Sequence, residues 1–71
     1  MNILIVDDEK LARDRLKRLI EKSSDHAVVG EAADGRSAIT QVEKYLPDVV
    51  LLDIRMPGMD GLEVARHLMK L

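Results

Sequence analysis

Two unbroken apolar runs that end on carboxylates constrain this chain more than anything else in it. Ile3-Leu4-Ile5-Val6 leads into Asp7-Asp8-Glu9, and Val49-Val50-Leu51-Leu52 leads into Asp53. A strand with one wet face alternates apolar and polar residues. A short run without alternation reads as a strand covered on both faces, the kind found in parallel sheets. In open sheets of that kind, ligands collect in the crevice beyond the carboxyl ends of the strands. Asp7, Asp8 and Asp53 are therefore expected at a crevice, not in a core.

Parallel strands need crossovers, and the sequence between the two runs supplies them. Leu11, Ala12, Leu16, Leu19 and Ile20 recur at helical spacing, with Arg13, Asp14, Lys17, Arg18 and Glu21 opposite them. Acidic residues lead this segment and basic ones follow, as the helix dipole favours. The helix should end near Ser23-Ser24-Asp25. Ala27–Ala32 is a weaker strand, broken at Gly30, which suits a sheet edge. Asp34 is the expected N-cap of a second helix carrying Ala38, Ile39, Val42, Tyr45 and Leu46, closed by Pro47. After the Asp53 strand, Asp60 and Glu63 form a capping box for a third helix with Leu62, Ala65, Leu68 and Met69 as its stripe. The order is βαβαβα, an α/β arrangement with right-handed crossovers.

Composition limits what such a chain can be. Its 71 residues suffice for one small domain at most. Chains of this size bury only roughly 60% of their unfolded surface. No cysteine is present, so no disulfide supplements the core, and a reducing compartment is expected. No segment has the length of a membrane span or the pattern of a signal peptide, so a cytoplasmic protein without a membrane role is expected. Tyr45 is the single aromatic, and the core must be aliphatic. A net charge of −2 gives no electrostatic reason to bind nucleic acid. Arg13, Arg15, Lys17 and Arg18 are read as a solvated helix face, and the isolated His26 and His67 carry no assigned role.

If the two apolar strands are neighbours, three carboxylates converge and repel one another. A hard divalent cation relieves this. Mg²⁺ takes oxygen ligands, one or two of them carboxylates, and keeps several waters. Asp8 and Asp53 can supply direct oxygens, Asp7 a water-mediated one, and a loop carbonyl such as that of Arg55 another. A carboxylate beside Mg²⁺ can accept a phosphoryl group. The bland reading of Asp7 and Asp8 alone is an N-cap for the next helix, and of Asp53 alone a turn residue. The pairing of two buried-type strands tips the balance to a site.

ILIVDDE and VVLLDIRMPGMDG resemble the receiver domain of bacterial two-component response regulators: an acidic pair after the first strand, an Asp after the third, then Pro57 and Gly61. DEKLARDRLKRLIE further resembles regulators with a LytTR-type DNA-binding output domain, such as alginate biosynthesis regulators. The resemblance covers the whole chain. It implies a flavodoxin-like (CheY-like) fold with strand order 2-1-3, in which a histidine kinase phosphorylates Asp53. It also implies that Asp7, Asp8, Asp53 and the Arg55 carbonyl hold Mg²⁺. DNA would be reached only through an output domain outside these residues, and the chain itself would be a phosphoacceptor and not an enzyme.

The chain departs from the family pattern in carrying three βα units only. The hydroxyl after the fourth strand and the Lys and aromatic residue of the fifth have no counterpart. The expectation is thus that residues 1–71 are the N-terminal part of a receiver, a single incomplete domain, with weak phosphoacceptor activity of its own. Haloacid dehalogenase-type phosphatases also form an aspartyl phosphate, but they need a second Asp where Arg55 stands. A P-loop needs glycines where Asp7-Asp8-Glu9 stands. The remaining rival is an assembling half-domain without chemistry. In either case the Val49–Leu52 strand is an uncharged edge that invites a homodimer, by edge pairing or by exchange of the third helix.

Overall fold

A computed structural model describes residues 1–53 and Arg66. The expected third helix, with its Asp60 cap and Leu62–Met69 stripe, lies outside the described residues. The elements run β1 (Asn2–Val6), α1 (Lys10–Glu21), β2 (Ala27–Ala32), α2 (Gly35–Tyr45) and β3 (Val49–Leu52). Among the described residues the sheet is three-stranded, parallel and ordered β2-β1-β3, as the family resemblance implied. The lack of alternation in β1 now has its reason. It is the middle strand, and Leu4, Ile5 and Val6 are at most 1% exposed, which only cover on both faces produces.

Leu4 and Val6 face α2 and join Ala32 and Ala38 in a cluster that Val42, Val50 and Leu52 also contact. By strand period, Ile3, Ile5 and Leu51 share the opposite face, towards α1. Pairing in register from Ile3↔Val49 to Val6↔Leu52 brings β1 and β3 to the same edge of the sheet. At their other ends, Asp48 makes two hydrogen bonds with Asn2: its N–H donates to the Asn2 carbonyl at 2.8 Å, and its carboxylate accepts from the Asn2 N–H at 2.7 Å. The N-terminal ammonium donates to the Asp25 carbonyl and lies 3.3 Å from His26 Nδ1.

β2 is an edge among the described residues, as expected. Its register slips beside Ile3, where the partner jumps from Val28 to Gly30 and Val29 is left over as a bulge. Gly30 does more than weaken the strand. A Cβ there would collide with Gln41 Oε1 and come within 3.1 Å of Leu4 Cδ1 and 3.4 Å of Tyr45 Cδ2. Gln41 also donates from Nε2 to the Glu31 carbonyl. The absent side chain is what lets α2 lie close over β2.

Both helices were anticipated, with three corrections. Asp34 caps α2 as expected, its carboxylate accepting from Ser37 N–H at 2.8 Å. In α1, however, no acid occupies the first turn, and the N-cap Glu9 makes no side-chain capping bond. Leu11 and Leu19, assigned to the apolar face, are 71% and 63% exposed, so the sheet-facing stripe is narrower than the spacing suggested. Arg13 and Lys17 are not a freely solvated face either. Both pair with Glu31 of β2, at 3.0 and 3.2 Å.

α2 ends on Leu46, which takes φ 47° and ψ 58° and returns its N–H to the Val42 carbonyl at 2.9 Å. Pro47 disfavours a further right-handed residue before it, so the helix must stop here. The left-handed conformation costs a residue with a Cβ about 1 kcal/mol or more. Leu46 recovers little by packing, being 76% exposed. Leu46→Gly is therefore expected to stabilise the chain by about 1 kcal/mol, or roughly 4–8 °C in Tm. Thermal unfolding followed by circular dichroism checks this, with Leu46→Ala as the control that keeps the Cβ and should gain nothing.

Candidate functional site

Parallel register carries the site. Because β1 and β3 end level, the residues that follow them leave the sheet side by side. Asp7 N–H donates to the Ala32 carbonyl at 3.0 Å, and Asp53 N–H to the Val6 carbonyl at 2.9 Å. The ladder thus extends one residue past each strand and fixes the start of both acidic segments. One carboxylate oxygen each from Asp7, Asp8 and Asp53 lies within 4.8 Å of the others. Asp7 and Asp53 are half-buried and Asp8 is exposed. They line an open cleft floored by Val6, Leu51 and Leu52, with Glu9 and Leu16 beside it.

The structure removes the bland reading of the acidic pair. Neither Asp7 nor Asp8 is the N-cap of α1, since Glu9 holds that position. Asp7 Oδ1 accepts from Glu9 N–H at 2.9 Å, a local turn that aims the chain from strand to helix. Asp8 is left at the bend facing the cleft. Arg55, expected to add a carbonyl, lies outside the described residues. His26, given no role, sits at the opposite end of the sheet beside the N-terminus.

Three residues that the sequence reading left out of the site, Arg13, Lys17 and Glu31, stand behind the cluster. Arg13 Nη1 donates to the Asp7 carbonyl at 2.8 Å, and its Nε donates to Glu31 Oε1 at 3.0 Å. Lys17 Nζ donates to the second Glu31 oxygen at 3.2 Å. Burial pushes the Glu31 carboxyl up, but the hydrogen bonds from Arg13 and Lys17, and their charges, outweigh it and hold the group below its ordinary range. The partners lie 18 and 14 residues apart, and neither separation is a spacing that sequence periodicity reveals.

The geometry suits a hard cation. Every donor in the cluster is a carboxylate oxygen, and the mutual spacing lets one ion touch or share waters with all three. Among the described residues no helix is long and apolar enough to cross a membrane.

Comparison with known proteins agrees with this geometry. The family model described as the response regulator receiver domain matches residues 3–71. The chain is 54% identical over 69 residues to the positive alginate biosynthesis regulatory protein of Pseudomonas aeruginosa, a match covering 96% of this chain and 28% of that protein. Other relatives are transcriptional regulatory proteins, and some are protein-glutamate methylesterases, so likeness to a receiver does not by itself make a non-enzyme. The response regulator domain of Thermotoga maritima CheB superposes with a TM-score of 0.95 at 38% identity, covering 99% of this chain and 52% of that one. A Borrelia burgdorferi structure, solved as a complex of CheX and CheY with BeF3 and Mg²⁺, gives a TM-score of 0.87 at 35% identity, over 99% and 53% of the two chains. The chain thus spans about half the length of these solved proteins and under a third of the regulator it matches. With the order β2-β1-β3 and acids at the ends of β1 and β3, this chain belongs to the response regulator receiver domain family.

Proposed function

We propose that residues 1–71 are the N-terminal part of a receiver in which Asp53 accepts a phosphoryl group from a phosphohistidine of a sensor kinase. The convergence of Asp7, Asp8 and Asp53 at one sheet edge carries this reading. A carboxylate oxygen of Asp53 bonds to phosphorus as the P–N bond to the kinase imidazole breaks. The electron pair of that bond returns to the imidazole nitrogen, which takes a proton from water. Asp7 and Asp8, with Asp53 and the Arg55 carbonyl, would hold Mg²⁺. That ion, when bound, neutralises charge where carboxylates and phosphoryl oxygens meet. The Mg²⁺ of the Borrelia complex supports the choice of metal.

In the whole protein the phosphorylated receiver would control transcription in the cytoplasm, with DNA held by an output domain outside this chain. The alginate regulator among its relatives supports that role. A second property follows from β3, which pairs with β1 alone among the described residues: two copies join through that edge.

Mg²⁺ titration tests the reading. Saturable binding is expected in the wild type and should be lost in Asp53→Asn. Slow phosphate uptake from acetyl phosphate, read by intact mass, should likewise depend on Asp53. A chain that binds no Mg²⁺ would be an assembling half-domain without chemistry.

A further inference from the structure

We propose that Arg13 is the positioning residue of the acidic centre. Its guanidinium fixes the Asp7–Asp8 peptide, and Glu31 holds the guanidinium. The inference rests on the reading of the cluster as a Mg²⁺ site and adds a part that the acidic residues themselves do not disclose.

Asp7 is fastened from three directions. Its N–H goes to the Ala32 carbonyl at 3.0 Å, its Oδ1 takes the Glu9 N–H at 2.9 Å, and its carbonyl takes Arg13 Nη1 at 2.8 Å. The last bond matters most for Asp8. The Asp7 carbonyl and the Asp8 N–H share one rigid peptide plane, so gripping that carbonyl sets the direction in which Asp8 leaves the backbone. Asp8 is exposed, and burial does not hold it. Peptide orientation is what remains to aim its carboxylate at Asp53.

Arg13 is itself immobilised. Its side chain is only 14% exposed, and the Nε bond to Glu31 Oε1 uses a second arm of the planar fork. Glu31 is braced in turn by Lys17 on its other oxygen and by Gln41 of α2 on its backbone carbonyl. A path of hydrogen bonds therefore runs from α2 through β2 and α1 to the acidic loop. A plain helix-to-strand ion pair would need only the Nε contact. The Nη1 contact, aimed at a loop carbonyl beside the carboxylates, is what a purely structural pair leaves unexplained.

Two substitutions separate positioning from charge. Arg13→Lys keeps the charge and can still pair with Glu31, but one ammonium does not span both acceptors in the same geometry. Arg13→Met removes charge and fork together. If Arg13 positions the site, both variants of the full 71-residue chain should bind Mg²⁺ about tenfold more weakly, the lower end of what outer partners of metal ligands contribute. In metal-free samples, the Asp8 amide resonance should move in both while that of Leu51 stays. Circular dichroism confirms that each variant is folded, and Arg13→Lys stands alone should Arg13→Met unfold. Unchanged affinity in both variants, or an unmoved Asp8 amide, overturns the inference while leaving the Mg²⁺ reading intact. Tighter binding in Arg13→Met with wild-type binding in Arg13→Lys also overturns it, since charge alone would then be acting. A wild-type chain with no saturable Mg²⁺ binding overturns the Mg²⁺ reading and this inference with it.

Discussion

Valine at Gly30 should destabilise the chain by about 2–4 kcal/mol, a large fraction of the roughly 4–10 kcal/mol that a domain of this size commands. Two effects oppose each other. Valine suits a strand and restricts the unfolded chain, which together favour it by up to about 1 kcal/mol. Against this stands the roof over β2. A Cβ meets Gln41 Oε1 first, and Gln41 can escape only by giving up its bond to the Glu31 carbonyl. The added methyls then face Leu4 and Tyr45, whose nearest atoms already stand 3.1 and 3.4 Å from the Cβ position. Leu4 is fully buried and has nowhere to go. Alanine should cost less, about 1 kcal/mol, because the flexible Gln41 can yield and Leu4 must give by only a few tenths of an ångström. Urea unfolding of the two variants gives the comparison. A Gly30→Val midpoint at or above that of the wild type would show that α2 rides over β2 freely.

Gly30 also shows where sequence reading stops. The strand break at that position was legible, and so was its edge location. The reason for the glycine was not, because it depends on residues 11 and 15 positions later that reach back over the strand. The same boundary separates the rest. The doubly covered β1, the Asp34 cap and the convergence of Asp7, Asp8 and Asp53 were readable, since each follows from a local pattern plus parallel pairing. Arg13 was assigned to solvent because helical spacing reports which face a residue is on, not what the neighbouring strand offers there. Glu31 offers a carboxylate, and a residue read as solvated became a half-buried one. Leu11 and Leu19 erred in the other direction for the same reason: their spacing was apolar and helical, but no described element lies against them.

The unfolding midpoint should rise with protein concentration, because folding and pairing of copies are expected to be one process. β3 pairs with β1 on one side only among the described residues, and its four residues are all half-buried. An uncharged strand with one open row of N–H and C=O groups is a template for another strand. A second copy turned about a two-fold axis would supply it, antiparallel at the junction, giving the order 2-1-3-3′-1′-2′. Anything that binds the folded state but not the unfolded one raises apparent stability by mass action, and a partner copy does so with the logarithm of its own concentration. Sedimentation should therefore find twice the mass of one chain at tens of micromolar. Amide protection at Val49–Leu52 should grow along the same concentration series. Val50→Lys should leave neither dimer nor folded monomer, since Val50 both lies on the pairing strand and contacts the Leu4–Val6 cluster. A folded monomer whose midpoint ignores concentration would show that the edge is satisfied without a second copy.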